Sequence, residues 1–293
     1  TDKVLPDENR MINGFTDYEE LTRTRRLIMR SYKLPGNRLR LLHTNENRGA
    51  VTIDEERDYH FRYVLEDNFG NRRTYQFIVK GKRQDIPEYK PEANEMLYWN
   101  QANVIQKPGM ELVVPRYYVY EDVPLRTDMR GDSSRIAFDY ILDAGRTPIH
   151  SYCDLSIGLR HMPVADTTKY YIVQKAGKWR SSMGGKYASG WIKTRVRSLG
   201  TFSVDVDTIA PQITPIGQGG WRTSRNIRFR IKDMESGIGS YKVYIDGKFV
   251  LFGLKKGILV IQDPEKVKKG VPHKLEVTVT DQCGNMARKE YKF

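Results

Sequence analysis

Apolar and polar positions alternate with a period of two over much of the last third of the chain and over one stretch near residue 60. Ile227, Phe229 and Ile231 alternate with Arg228, Arg230 and Lys232, the pattern of a strand with one buried and one basic face. Residues 241–245 run toward 249–252 across Asp246-Gly247, a hairpin signal of the type I′ kind. Strands are also expected within 112–114, 138–142, 153–159 and 170–173. Helix is expected only near the start, where Thr16 and Glu19 have capping-box spacing over a helix reaching about Arg25. A turn at Pro35-Gly36-Asn37 follows.

One arrangement occurs twice. Residues 59–66 run into Asp67-Asn68-Phe69-Gly70-Asn71 and then 75–79, and residues 274–280 run into Asp281-Gln282-Cys283-Gly284-Asn285 and then 290–293. Asp accepts backbone N–H bonds in such a reversal, and Gly and Asn tolerate positive φ. Asp67, Gly70, Asn71, Asp246, Gly247, Asp281, Gly284 and Asn285 therefore read as turn formers. Calcium ligation at Asp67 or Asp281 would need several more oxygens close by.

A charged, proline-containing stretch over 80–87 and the exit at Asp207-Thr208-Ile209-Ala210-Pro211 divide the chain into a β-sandwich module over 1–85, a β-rich middle module over 86–208 and a C-terminal immunoglobulin-like module over 209–293. The expected fold is all-β, a tandem array of immunoglobulin-like or fibronectin-like sandwiches with at most a short N-terminal helix. The ten residues from Thr1 have no apolar core of a signal peptide, and the opening reads as mid-protein sequence. No apolar run is long enough for a membrane-spanning helix.

The net charge of +13 changes the picture only locally. Residues 209–293 hold 16 Lys and Arg against 8 Asp and Glu, whereas the other two modules are close to balance. No nucleic-acid motif accompanies that excess, so a solvated basic face, with nonspecific attraction to an anionic envelope polymer, is the reading; specific nucleic-acid binding is not expected. The two cysteines, Cys153 in an alternating strand and Cys283 in a turn, read as unpaired thiols.

Catalytic chemistry is not signalled. None of His43, His60, His150, His161 and His273 stands in His-x-His or His-Glu-x-x-His spacing, and His161 with Asp166 across Pro163 is the nearest approach to a metal pair. Gly184-Gly185 suits a hairpin tip better than a phosphate cradle. No catalytic, cofactor or metal residue is assigned. Trp179, Tyr187 and Trp191, beside Lys178, Arg180 and Lys186, form the one cluster suited to stacking on sugar rings; the competing reading is a hairpin with core-facing Trp side chains.

Three stretches carry a family resemblance: residues 7–18 with 30–39 and the turn at 67–71; residues 199–202 with 207–211; and residues 227–233, Ser236-Gly237-Ile238, 244–248 and 281–285. The chain resembles the region downstream of the catalytic domain in lysostaphin-type (LytM-like) zinc metallopeptidases of the Gram-negative envelope. That family binds zinc through His-x-x-x-Asp and a later His-x-His, and neither motif occurs here. The resemblance therefore implies a non-catalytic accessory region, with zinc and catalysis belonging to a peptidase domain upstream. It implies a periplasmic or surface location, and peptidoglycan, another envelope polymer or that peptidase domain as partner. The alternative is a β-sandwich protein for adhesion or surface polysaccharide binding.

Overall fold

The computed structural model describes residues 6–85, 87, 92–132, 134–143, 145 and 147–293. Residues 1–5 and Ile86 of the expected 80–87 linker lie outside the described residues. The chain falls into two units, 1–92 and 93–293. It is all-β, with antiparallel sheets and only short helices.

The first unit begins with helix α1 (Pro6–Met11), a 3-10 turn and helix α2 (Tyr18–Thr24). Asp17, rather than Thr16, caps α2: its carboxylate accepts the Glu20 N–H at 3.0 Å. Thr16 is instead held in an isolated β-bridge with Met29. The helix stops at Arg25, which adopts the left-handed conformation. Strands β1 (Asp58–Glu66) and β2 (Arg72–Lys80) then form a two-stranded ribbon. Where the pattern suggests a sandwich over 1–85, the described residues hold this one sheet. The stretch between α2 and β1 lacks sustained alternation and runs as turns and extended chain.

The second unit contains two sandwiches. The first pairs a six-stranded sheet with a five-stranded one. Its strands are β3 (Glu95–Leu97), β4 (Asn103–Lys107), β5 (Met110–Val114), β6 (Val123–Arg130), β7 (Asp139–Asp143), β8 (Cys153–Gly158), β9 (Tyr170–Ala176), β10 (Trp179–Ser182), β11 (Lys186–Ala188), β12 (Trp191–Val196) and β13 (Gly200–Val206). One sheet runs β10-β9-β13-β7-β6-β3 and the other β11-β12-β8-β5-β4. Met110, Leu112 and Val114 point inward from β5 and Leu155 and Ile157 from β8, to meet Tyr140, Leu142 and Phe202 in one core. Side chains of this size stabilise by about 1.5–3 kcal/mol each when fully buried.

The second sandwich pairs β14 (Gln212–Ile216), β15 (Arg228–Lys232), β19 (Ile258–Ile261) and β18 (Phe252–Lys255) against β17 (Lys248–Phe249), β16 (Ile238–Ile245), β20 (Lys274–Asp281) and β21 (Met286–Lys292). A short helix α3 (Trp221–Ser224) places Trp221 at the centre of its core, edge-on to Phe229, Tyr291 and Phe293 at 5.0–5.8 Å. The Asp246-Gly247 hairpin forms with φ of 49° and 76°. Its second arm departs from the expected run over 249–252. Lys248 and Phe249 pair with β16 and the Val250 N–H still donates to the Val243 carbonyl at 3.0 Å; Phe252 then enters the opposite sheet beside β19. Val250 and Phe252 are both buried, so the chain crosses between sheets to place both in one core.

Candidate functional site

A cluster of aspartates and their hydrogen-bond partners lies where the two sandwiches of the second unit meet. Asp207 directly follows β13, and its buried carboxylate accepts through both oxygens. Oδ1 accepts the Ile209 N–H at 2.9 Å, and Oδ2 accepts the Ser236 N–H at 3.0 Å and the Ser236 hydroxyl at 2.6 Å. Asp233 Oδ1 accepts the N–H groups of Glu235 and Gly237 at 3.0 and 2.7 Å. Asp281 accepts from the Asn285 backbone N–H and side-chain amide, both at 2.8 Å. The second sandwich is also gripped by the first. Lys169 Nζ donates to the Cys283 carbonyl at 3.0 Å, and the Tyr171 hydroxyl donates to Glu235 at 3.2 Å. Beneath these bonds Tyr171, Val173 and Cys283 form a small buried cluster of their own.

One oxygen from each of Asp207, Asp233 and Asp281 lies within 4.8 Å of the other two. Burial holds the Asp281 carboxyl above the ordinary carboxylate range, and the neighbouring Asp207 and Asp233 charges push the same way, against the Asn285 bonds. Three carboxylates form an all-oxygen set suited to a hard cation such as calcium, which takes six to eight oxygens. Here most of their lone pairs already receive N–H or O–H donors, so a cation would need water or main-chain oxygens as further ligands. What the arrangement does without one is tie the two sandwiches together through hydrogen-bonded polar groups, of which Asp207, Ser236 and Asp281 are buried. The sequence shows Asp207 at a boundary and Asp281 in a turn, but nothing local brings them together.

Turn geometry accounts for the other acidic residues singled out. Asp67 Oδ1 accepts from Phe69 and Asn71, and Oδ2 from the Asn71 amide, lowering its pKa chiefly through Asn71. Gly70 and Gly284 adopt φ of 82° and 80°. Asp166 caps a 3-10 turn by accepting from the Thr168 hydroxyl and N–H, so it is committed locally; the exposed His161 is not among the residues gathered with the aspartates.

Two histidines are buried. His150 bonds the Tyr120 hydroxyl at 3.0 Å. His273 bonds Asp246 through Nδ1 at 2.6 Å and the Lys268 carbonyl through Nε2 at 2.7 Å. Both partners are acceptors, so the surroundings favour the doubly protonated ring and raise the His273 pKa against the effect of burial. A His-Asp pair with both nitrogens committed has no lone pair with which to take a proton. The two thiols are buried and unpaired, and burial pushes Cys153 up to about 12 and Cys283 up to about 11, far from reactive thiolates.

The expected aromatic cluster is divided. Trp179 opens β10 at the edge of the six-stranded sheet, with 81% of its surface exposed. Tyr187 in β11 and Trp191 in β12 belong to the opposite sheet. Gly184 and Gly185, with φ of 64° and 140°, carry the chain from one sheet to the other. Trp191 is half-buried, its ring carbon 3.7 Å from where a Cβ on Gly158 would stand. The core-facing alternative thus describes Trp191 in part, and Trp179 not at all.

Residues 94–207, the first sandwich of the second unit, match the Zu5-like domain family. No curated protein matches the chain. Among solved structures, the chain is similar to a calcium-stabilised adhesin of an Antarctic bacterium that binds ice, at 10% identity over 80% of each chain and a TM-score of 0.20.

Proposed function

We propose that this chain is a non-catalytic binding array of the adhesive type, whose sandwiches present a contact surface to an extracellular or cell-envelope polymer. The observation that carries the reading is Trp179, an indole left in water at a strand edge beside Lys178 and Arg180. The other tryptophans are buried or half-buried. The Zu5-like match over the sandwich that carries Trp179 supports a binding domain. Seating one face of an indole on a sugar ring removes about 100 Å² from water, worth about 2.5 kcal/mol before ordering costs. Retention of the full chain on an insoluble polysaccharide should fall about tenfold in Trp179→Ala, with the melting temperature unchanged. Equal retention of variant and parent on every polymer tried removes the reading.

On the sequence resemblance, peptidoglycan is the polymer to try first, and accessory service to a zinc endopeptidase of the envelope is the parent activity. Binding to isolated sacculi, together with a His-x-His motif in the gene before the codon for Thr1, supports that assignment. Binding to other polysaccharides but not to sacculi replaces it with surface adhesion.

A further inference from the structure

The two Asp-x-x-Gly-Asn hairpins are built alike but differ in what covers them. Asp67 N–H donates to the Asn71 carbonyl at 3.0 Å and Asp281 N–H to the Asn285 carbonyl at 3.1 Å. Aligned on these turns, Phe61, Tyr63 and Leu65 of β1 stand where Leu275, Val277 and Val279 stand in β20, and Phe77 stands where Tyr291 does. Val277 and Val279 are 0% exposed, while Tyr63 and Leu65 are 41% and 65% exposed. In the last sandwich β20 is paired on its second edge by β16, and Tyr291 packs on Trp221 and Phe229 at 5.8 and 5.4 Å. Among the described residues β1 pairs only with β2, and the Phe77 ring meets only its own ribbon: Phe61 at 5.1 Å, Tyr75 at 5.8 Å and Tyr63 at 6.0 Å. At its start this face is covered, since Tyr59 is buried and its hydroxyl donates to Asp54 at 3.3 Å, and the Tyr63 hydroxyl donates to Ser31 at 3.0 Å; from Tyr63 to Leu65 the side chains that form a sandwich core in one repeat are largely exposed in the other.

We propose that the β1–β2 ribbon is a docking site for an extended strand of a partner polypeptide. The strand adds antiparallel to the free edge of β1 and lays alternate apolar side chains over Phe61, Tyr63, Leu65 and Tyr75. The last sandwich shows this arrangement with β16 in the partner's place. Two nine-residue strands present a face of about 300 Å², well short of the roughly 800 Å² per partner of a stable interface between folded proteins. Such a face suits one strand held largely by main-chain hydrogen bonds. A second copy fits poorly: full-length antiparallel pairing of two β1 strands sets Arg62 against Arg62 and Asp58 against Glu66, and like charges directly opposite destabilise. The β2 edge carries Arg72, Arg73 and Lys80, which discourage pairing there.

The test uses the full chain and a synthetic peptide of residues 238–245, the β16 sequence, read by hydrogen exchange. The peptide should slow exchange of the β1 amides that face away from β2 at least tenfold, and leave β20, whose edge is filled, unchanged. The double variant Leu65→Lys, Tyr75→Lys should lose the effect. The same peptide methylated on alternate backbone nitrogens should also fail on the unaltered chain, which keeps the test independent of the variant's folding. Three outcomes overturn the proposal: no protection at millimolar peptide, equal protection by the methylated peptide, or protection of β1 in the chain alone that grows with concentration and tracks a dimer in sedimentation.

Discussion

Asn285, in the turn that closes the last sandwich, donates its side-chain amide to the main-chain carbonyl of Asp207 at 3.0 Å, across the junction between the two sandwiches of the second unit. The same amide bonds Asp281 at 2.8 Å. In the equivalent hairpin the Asn71 amide bonds Asp67 at 2.8 Å in an exposed turn. One motif therefore serves as a plain reversal in the first unit and as a latch in the second.

Asn285→Ala leaves a buried carbonyl and a buried carboxylate oxygen without a donor, and should cost about 2–4 kcal/mol in urea unfolding of the second unit. Asn71→Ala, in water, should cost less than about 1 kcal/mol. Cys283 is buried within the same turn, between Asp281 and Asn285, so its reaction with a thiol reagent in the folded protein should accelerate in Asn285→Ala and not in Asn71→Ala. Equal costs for the two variants would sink the assignment of a latch.

The three aspartates at the junction make its stability depend on acid in an unusual direction. Burial, then the charges of Asp207 and Asp233, raise the folded pKa of Asp281 above its unfolded value. A group so shifted contributes most below the ordinary carboxylate value, and that contribution is lost as pH rises through the raised one. Denaturant midpoints of the second unit should therefore include a component that falls as pH rises above about 4. Asp233→Asn keeps an oxygen for the Glu235 and Gly237 N–H groups but removes one of the charges acting on Asp281. It should shift that component toward lower pH, and an unshifted profile would contradict the coupling.

Much of this architecture is legible residue by residue. Leu275, Val277 and Val279 alternate because one face of β20 is core, and Asp246-Gly247 marks its turn because both positions require positive φ. What stays hidden depends on distant partners. Nothing near Asp207 announces Ser236 or Asn285, since the bonds form only once two sandwiches meet. The crossing at Val250 to Phe252 is likewise invisible, because buried side chains alternate there whether or not the strand changes sheets. The 59–79 ribbon has the pattern of a sandwich strand pair, yet pattern alone does not supply the covering strands. Trp179 and Trp191 read as one cluster until Gly184 and Gly185 set them on opposite sheets.

Gly239 is required by close approach rather than by φ. It sits at a register shift between Ile238 and Ser240, where an added Cβ would stand 2.5 Å from the Asp281 carbonyl oxygen and 2.9 Å from its carbon. Both atoms are backbone, so relief requires β16 and β20 to separate. Gly239→Ala should destabilise the second unit by about 1–3 kcal/mol. Gly219→Ala, where nothing lies within 4 Å, should stay within about 0.5 kcal/mol. Comparable denaturant midpoints for the two variants would show that the bulge relaxes freely.

The His273–Asp246 pair ties the Asp246-Gly247 turn to the start of β20, and its pH response can be stated with sign. Burial alone would lower the His273 pKa; the bonds to Asp246 and the Lys268 carbonyl outweigh it and raise the folded value. The contribution of His273 is therefore complete below the unfolded histidine value of about 6.5 and is lost as pH rises through the folded one. Asp246 is shifted the other way, first by the Lys274 N–H and then by His273, so its contribution is present above the ordinary carboxylate value and is lost as pH falls through the lowered one. Between those two limits both contributions are present. Asp246→Asn retains a residue that tolerates the left-handed turn while removing the charge that holds the imidazolium. It should reduce the stability lost above pH ~6.5, and the NMR titration of the His273 ring should move to lower pH. An unmoved ring titration would show that the Lys268 carbonyl alone keeps His273 protonated.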